Sequence, residues 1–219
     1  MVRGPAERGA NSGVAAECHY EPWVQVTIGS NLMDGKPGDD VMPQLATKRM
    51  DLRPFRGEDW KDLARINGDA RAMDTLSADG KPLTDDAIRA RTQAHAAHWD
   101  AHGFGLWHVT DRASGSFCAY AGLRFVVLDG RPVIELAYAV VPDFWQQGRA
   151  KELARATLDE AFARLALEEA WCFTLTRNTA SRRTMEGAGF QYRHDGDRVG
   201  LPHVFYTLTR ARWQETCEV

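Results

Sequence analysis

The stretch from Glu135 to Glu152 constrains the fold more than any other part of the chain. Glu135-Leu136-Ala137-Tyr138-Ala139-Val140 reads as a strand that runs into a glycine turn at Gly148 and then directly into a helix. Gly148 removes a side chain where backbone must approach a ligand closely, and Ala150 keeps the next inward position small. Ala150, Leu153, Ala154, Thr157, Leu158, Ala161, Phe162 and Leu165 form one stripe, so the helix packs on a sheet and holds the turn rigid. The amides of Gln146, Gln147, Gly148, Arg149, Ala150 and Lys151 then point unpaired into the space before the first helical turn, where the helix dipole favours negative charge. A pyrophosphate fits there, although a lone glycine at such a turn also serves simply to start an element.

A second segment, Thr176 to Phe190, leaves a strand, turns at Asn178 and enters a short helix that stops at Gly189. Asn178 reads most plainly as a helix cap. Its amide equally reaches the amide groups of a pantetheine arm lying between two splayed strands, and Ser181 faces the same region a turn later.

Elsewhere the texture is that of a mixed α+β domain. Residues 1–41 carry many glycines and no sustained period, and they read as an irregular extension with one short alternating patch at Trp23–Ile28. Met33 or Met42 would serve equally as a start. The domain is expected over 42–212, with 213–219 as a tail. Met50–Phe55 alternates as a strand, with Pro54 at its end. Trp60, Leu63, Ala64 and Ile66 form a helical face that stops at Gly68, and Thr84 caps a second helix to about Trp99. His95, His98 and His102 share one side of that helix at spacings a metal site could use, but no cysteine or carboxylate partner is near. They are read as a solvated or interfacial face, and no metal is expected. Strand-like runs at Leu106–Thr110, Phe117–Val127 and Val133–Val140 are separated by turns and predict an antiparallel meander. Helices at Arg149–Leu165 and about Ala180–Gly187 alternate with strands at Trp171–Thr176, Phe190–Arg193 and Val204–Leu208. The sum is a central sheet flanked by helices.

Composition excludes several function classes. A net charge of −3 over 219 residues, with no block of like charge, leaves no electrostatic footprint for nucleic acid or an anionic membrane. No run approaches the roughly 20 apolar residues that cross a bilayer, and no apolar signal core follows Arg3 and Arg8, so a cytoplasmic protein is expected. Cys18, Cys118, Cys172 and Cys217 form no CxxC pair and read as free thiols. A phosphate loop of the GxxxxGK[ST] kind and a Rossmann fingerprint are both absent.

Taken in order, Leu45–Phe55, Glu135-Leu136-Ala137-Tyr138, Trp145-Gln146-Gln147-Gly148-Arg149-Ala150, Asn178–Arg183 and Gly187-Ala188-Gly189-Phe190 resemble the GNAT superfamily of N-acetyltransferases. The resemblance runs from about Leu45 to Thr209 and is closest to the branch that acetylates the N-terminal alanine or serine of ribosomal proteins. Trp145 stands where the superfamily's usual signature has Gln or Arg, a substitution that this branch shares. Ala139 stands where the branch often has an aromatic residue.

The resemblance implies a GNAT fold, a mostly antiparallel mixed sheet whose splayed strands bind acyl-CoA. It implies transfer of acetyl from acetyl-CoA to a primary amine by direct attack, the amine belonging to a protein N-terminus or a small molecule, and it makes a homodimer plausible. Acetyl-CoA would lie along Tyr138, Ala139 and Val140, the turn from Gln146 to Lys151, Asn178 and Ser181. It implies Glu135 as general base, Ser181 as acid to the departing thiolate, and the Val140 N–H as oxyanion donor. An exposed or ion-paired carboxylate fits Glu135 as well, and Tyr138 is a second choice of acid. A rival function on the same scaffold is a non-catalytic acyl-CoA sensor.

Overall fold

The computed structural model describes residues 44–217. The patch at Trp23–Ile28 and both alternative start methionines lie outside them. Leu45–Ala46 (β1) and Met50–Pro54 (β2) pair around a turn closed by the Thr47 N–H on the Met50 carbonyl at 2.8 Å. Trp60–Asn67 (α1), Ala70–Met73 (α2) and Asp85–His102 (α3) follow. Thr84 Oγ1 accepts the Ala87 N–H and starts α3, which runs three residues past the expected end to a left-handed Gly103.

Leu106–Asp111 (β3), Phe117–Leu128 (β4) and Arg131–Val140 (β5) form the expected meander. Arg149–Asp159 (α4), Glu169–Leu175 (β6), Thr179–Gly187 (α5), Gln191–Arg198 (β7), Leu201–Thr209 (β8) and Arg210–Cys217 (α6) complete the described chain. The strands make one sheet in the order β1-β2-β3-β4-β5-β6-β8-β7, antiparallel everywhere except between β5 and β6.

Alternation along β5 sends side chains to two cores. Leu136 and Val140 join Leu153, Leu158, Phe162, Met185 and Trp213 from α4, α5, α6 and the turn after α4. Ala139 and Val141 face the other way, onto Phe55, Leu63, Ile66 and Ile88 beneath α1 and α3. Trp213, 5% exposed, places α6 against the first core although the tail was expected to begin there. At Gly122 a Cβ would lie 2.2 Å from the Gly105 carbonyl oxygen, so only glycine lets β4 pass that close to the start of β3.

Three local expectations need correction. The helix from Arg149 does not reach Leu165 as one α-helix, because Glu160–Arg164 form a π-turn. There Glu160 is buried, accepts the Trp107 indole N–H at 2.7 Å and pairs with Arg164. The last antiparallel pair is longer than its apolar residues suggest, since β7 carries Arg193, His194, Asp195, Asp197 and Arg198 and reads as polar loop. The histidines of α3 are not a solvated face: His95 and His98 are 4% and 3% exposed. His95 packs on Phe55 and Tyr120, and His98 on Phe104 and Phe125.

Candidate active site

A cleft of about 1390 Å³ opens where β5 and β6 part. The two strands share one register pair, Glu135 with Trp171, and diverge beyond it. The Val141 N–H donates to the Cys118 carbonyl at 2.8 Å, so Ala119 and Val140 form a non-hydrogen-bonded pair of the β4–β5 ladder. By alternation the backbone groups of Tyr138 and Val140 point away from β4, into the gap that β6 has left. Ala139, between them, spends its backbone on β4 opposite Tyr120 and offers the cleft its small side chain.

At the mouth the chain turns through two left-handed residues, Gln146 at φ 58° and Gly148 at φ 73°. The first helical bond runs from the Glu152 N–H to the Gly148 carbonyl, 3.2 Å, which leaves the N–H groups of Arg149, Ala150 and Lys151 with no intrahelical acceptor. Arg49 pins the turn from outside. Its Nη1 donates to the Gln147 carbonyl at 2.7 Å and its Nε to Glu152 Oε2 at 2.7 Å. The Arg149 guanidinium turns inward, 2.8 Å from Asp111 and over the Phe144 ring, so Arg149 gives the turn its amide and not its charge.

On the opposite wall Asn178 Oδ1 accepts the Ser181 N–H at 3.0 Å and caps α5, as the plainer reading expected. Tyr138 reaches this wall from β5. Its hydroxyl donates to the Ser181 carbonyl at 3.1 Å and lies 3.0 Å from Ser181 Oγ. Burial raises the Tyr138 phenol well above its usual range, so it stays protonated. Across the 3.0 Å contact either hydroxyl can be the donor.

Glu135 sits at the closed end of the gap, 3% exposed, with Oε2 accepting Arg124 Nε at 2.7 Å. It faces the half of the cleft lined by His95, Tyr120, Arg124, Arg198 and His203. Arg177 crosses from the end of β6 to donate to the Asp74 and Ser77 carbonyls at 2.9 and 3.1 Å, tying that wall to the loop before α3. Arg49 and Arg177 escape sequence reading because each bonds partners distant in the chain, and Tyr120, Arg124 and His203 because only the pairing of the strands brings them to one cleft. Among the described residues, Asp59, Asp62 and His108 also approach one another, but Arg53 occupies Asp59 with two 2.7 Å bonds, an ion pair that closes the group.

A sheet split at a parallel pair, with free strand amides leading to a left-handed glycine turn, defines a scaffold for acyl-CoA-dependent transfer. The chain belongs to the GNAT acetyltransferases: the family's acetyltransferase (GNAT) domain model matches residues 49–191. It is an N-acetyltransferase of that family. FsC-acetyl coenzyme A-N(2)-transacetylase of Aspergillus fumigatus is 32% identical over 188 residues, 79% of each chain. A GNAT-family acetyltransferase from Bordetella pertussis superposes with a TM-score of 0.66 at 24% identity, covering 75% of this chain and 98% of its own. The ribosomal-protein-S5-alanine acetyltransferase of Vibrio fischeri superposes at 0.62 with 13% identity, over 80% and 99%. Both superpositions speak to the fold. Among the described residues no helix is long and apolar enough to cross a membrane.

Proposed function

We propose that the protein transfers the acetyl group of acetyl-CoA to a primary amine by direct attack, without a covalent enzyme intermediate. The observation that carries this reading is the gap beyond the Glu135–Trp171 pair, where the amides of Tyr138 and Val140 lead in line to the turn at Gly148. The amides from Gln146 to Lys151 receive the pyrophosphate, and Val140, Ala139 and Asn178 line the pantetheine arm.

The amine nitrogen attacks the thioester carbonyl carbon, a C–N bond forms and the C–S bond breaks. The amine proton passes through water to Glu135, held in place by Arg124, and on to solvent, while the Ser181 hydroxyl, next to Tyr138, passes its proton to the thiolate and regains one from solvent. Along the strand Glu135 is about 10 Å from Tyr138 and about 16 Å from Val140. Ser181 also meets the strand at Tyr138. The reacting carbonyl therefore belongs opposite the Tyr138 N–H, which takes the oxyanion role first given to Val140. Val140 holds an amide carbonyl further out.

The acceptor is an amine on a small molecule or a protein N-terminus. The name of the fungal relative, an N(2)-transacetylase, supports the first. Calorimetry with acetyl-CoA, followed by free-thiol release across a panel of small amines and N-terminal peptides, tests the reading. Micromolar binding and amine-dependent thiol release are expected. A folded protein that does not bind acetyl-CoA would overturn it, and thiol release that ignores every amine would overturn direct transfer.

A further inference from the structure

Trp145 lies in the turn yet reaches back to the strand. Its indole N–H donates to the Val140 carbonyl at 2.7 Å, while the ring remains 42% exposed at the cleft. That bond changes what β5 offers a ligand. A strand residue facing a gap presents one donor and one acceptor, and Tyr138 presents both. At Val140 the indole already holds one of the carbonyl's two lone pairs, so only the N–H is wholly open.

We infer that Trp145 is a positioning residue that sets the register of the pantetheine arm along β5, an inference that rests on the acetyl-CoA reading above. The arm carries two amide groups, and each can face the strand with its carbonyl or its N–H. Next to Val140 a carbonyl finds the better partner, since an N–H placed there must share an oxygen already bonded to the indole. Arms slipped along the strand, with an N–H opposite Val140, are thereby disfavoured. The thioester is fixed opposite Tyr138, between Glu135 and Ser181, because a shift of one strand position moves it by about 3 Å. The same side chain links the pyrophosphate turn to the strand, so both ends of the arm are held by one unit.

Trp145→Phe removes the donor and keeps an aromatic ring. Being 42% exposed, the site tolerates the change without loss of fold, and Trp145→Leu serves as a second variant that lacks both donor and ring. The probes are acetyl-CoA labelled with 13C at the thioester carbonyl, and adenosine 3′,5′-bisphosphate 5′-extended to the diphosphate, which lacks the arm. For the truncated nucleotide, affinity unchanged within twofold is expected in both variants. For acetyl-CoA, kcat about tenfold lower is expected, together with a carbonyl signal that loses its wild-type shift or splits into two.

Equal weakening of both ligands in the variants would mean that Trp145 only holds the turn, and would overturn the inference. A wild-type carbonyl shift retained in Trp145→Phe would overturn it too. Absence of any shift in wild type, or of acetyl-CoA binding itself, would instead sink the acetyl-CoA reading on which it stands.

Discussion

The two halves of the cleft are made of different materials. The half assigned to acetyl-CoA is mostly backbone: the left-handed turn at Gly148, the amides at the start of α4, the N–H groups of Tyr138 and Val140, and the cap at Asn178. The half assigned to the amine is side chain: His95 from α3, Tyr120 and Arg124 from β4, Glu135 from β5, and Arg198 and His203 from the last hairpin. Backbone geometry follows from residue types at short spacing. Side-chain constellations follow from the packing of elements far apart in sequence. The difference teaches why one fold can keep its donor substrate and change its acceptor.

Substitutions should therefore separate the halves. Gly148→Glu adds strain at φ 73° and a negative charge at the turn, and acetyl-CoA affinity by calorimetry should fall roughly a thousandfold while the fold survives. Glu135→Gln keeps a hydrogen-bonding partner for Arg124 but cannot take a proton. Its kcat should drop a few hundredfold with acetyl-CoA affinity unchanged, and a change in affinity of tenfold would blur the division between the halves.

The third test uses pH. His98 donates from Nδ1 to the Phe104 carbonyl at 2.8 Å and accepts the Phe125 N–H on Nε2 at 3.3 Å, a pattern only the neutral ring can satisfy. Burial pulls His98 down from 6.5 to about 4, and lowers His95 as well. Between these values the unfolded chain binds the proton that the folded chain refuses. Stability is therefore complete above about pH 6.5 and falls as pH drops toward 4, by about 3 kcal/mol for His98 alone. Urea titrations across that range should show the loss, and His98→Gln, which offers both a donor and an acceptor, should remove the His98 share and leave that of His95. Loss of amine turnover before loss of acetyl-CoA binding on acidification would sharpen the contrast. The smallest effect is expected from Ser181→Ala, about tenfold in kcat, because Tyr138 remains beside the thiolate as a second donor.

Much of this was legible in the sequence for reasons that repeat the same contrast. The strand–turn–helix unit at Glu135–Glu152 and the cap at Asn178 were readable because their signals are local. The strand assignments of the meander held because its turns carry Gly, Asp and Ser between apolar runs. Of the two readings of the α3 histidines the solvated one fails for His95 and His98, because polar residues at helical spacing look solvated until β4 and the Phe104 segment are laid over them. The length of β7 was hidden because an edge strand needs no apolar alternation to pair on one side. The ion pair of Glu135 with Arg124 became visible only with the register of β4 and β5.

That edge strand has one more consequence. Sheets invite further sheets, and an end with open backbone groups is where a second chain would add itself. Here the rim is β7, a strand of exposed arginine, histidine and aspartate with a bulge between Tyr192 and His194. A copy arriving in register meets charge and a broken ladder instead of a flat apolar template. At that end growth by strand addition is blocked, so concentrated preparations should resist fibrillar aggregation there.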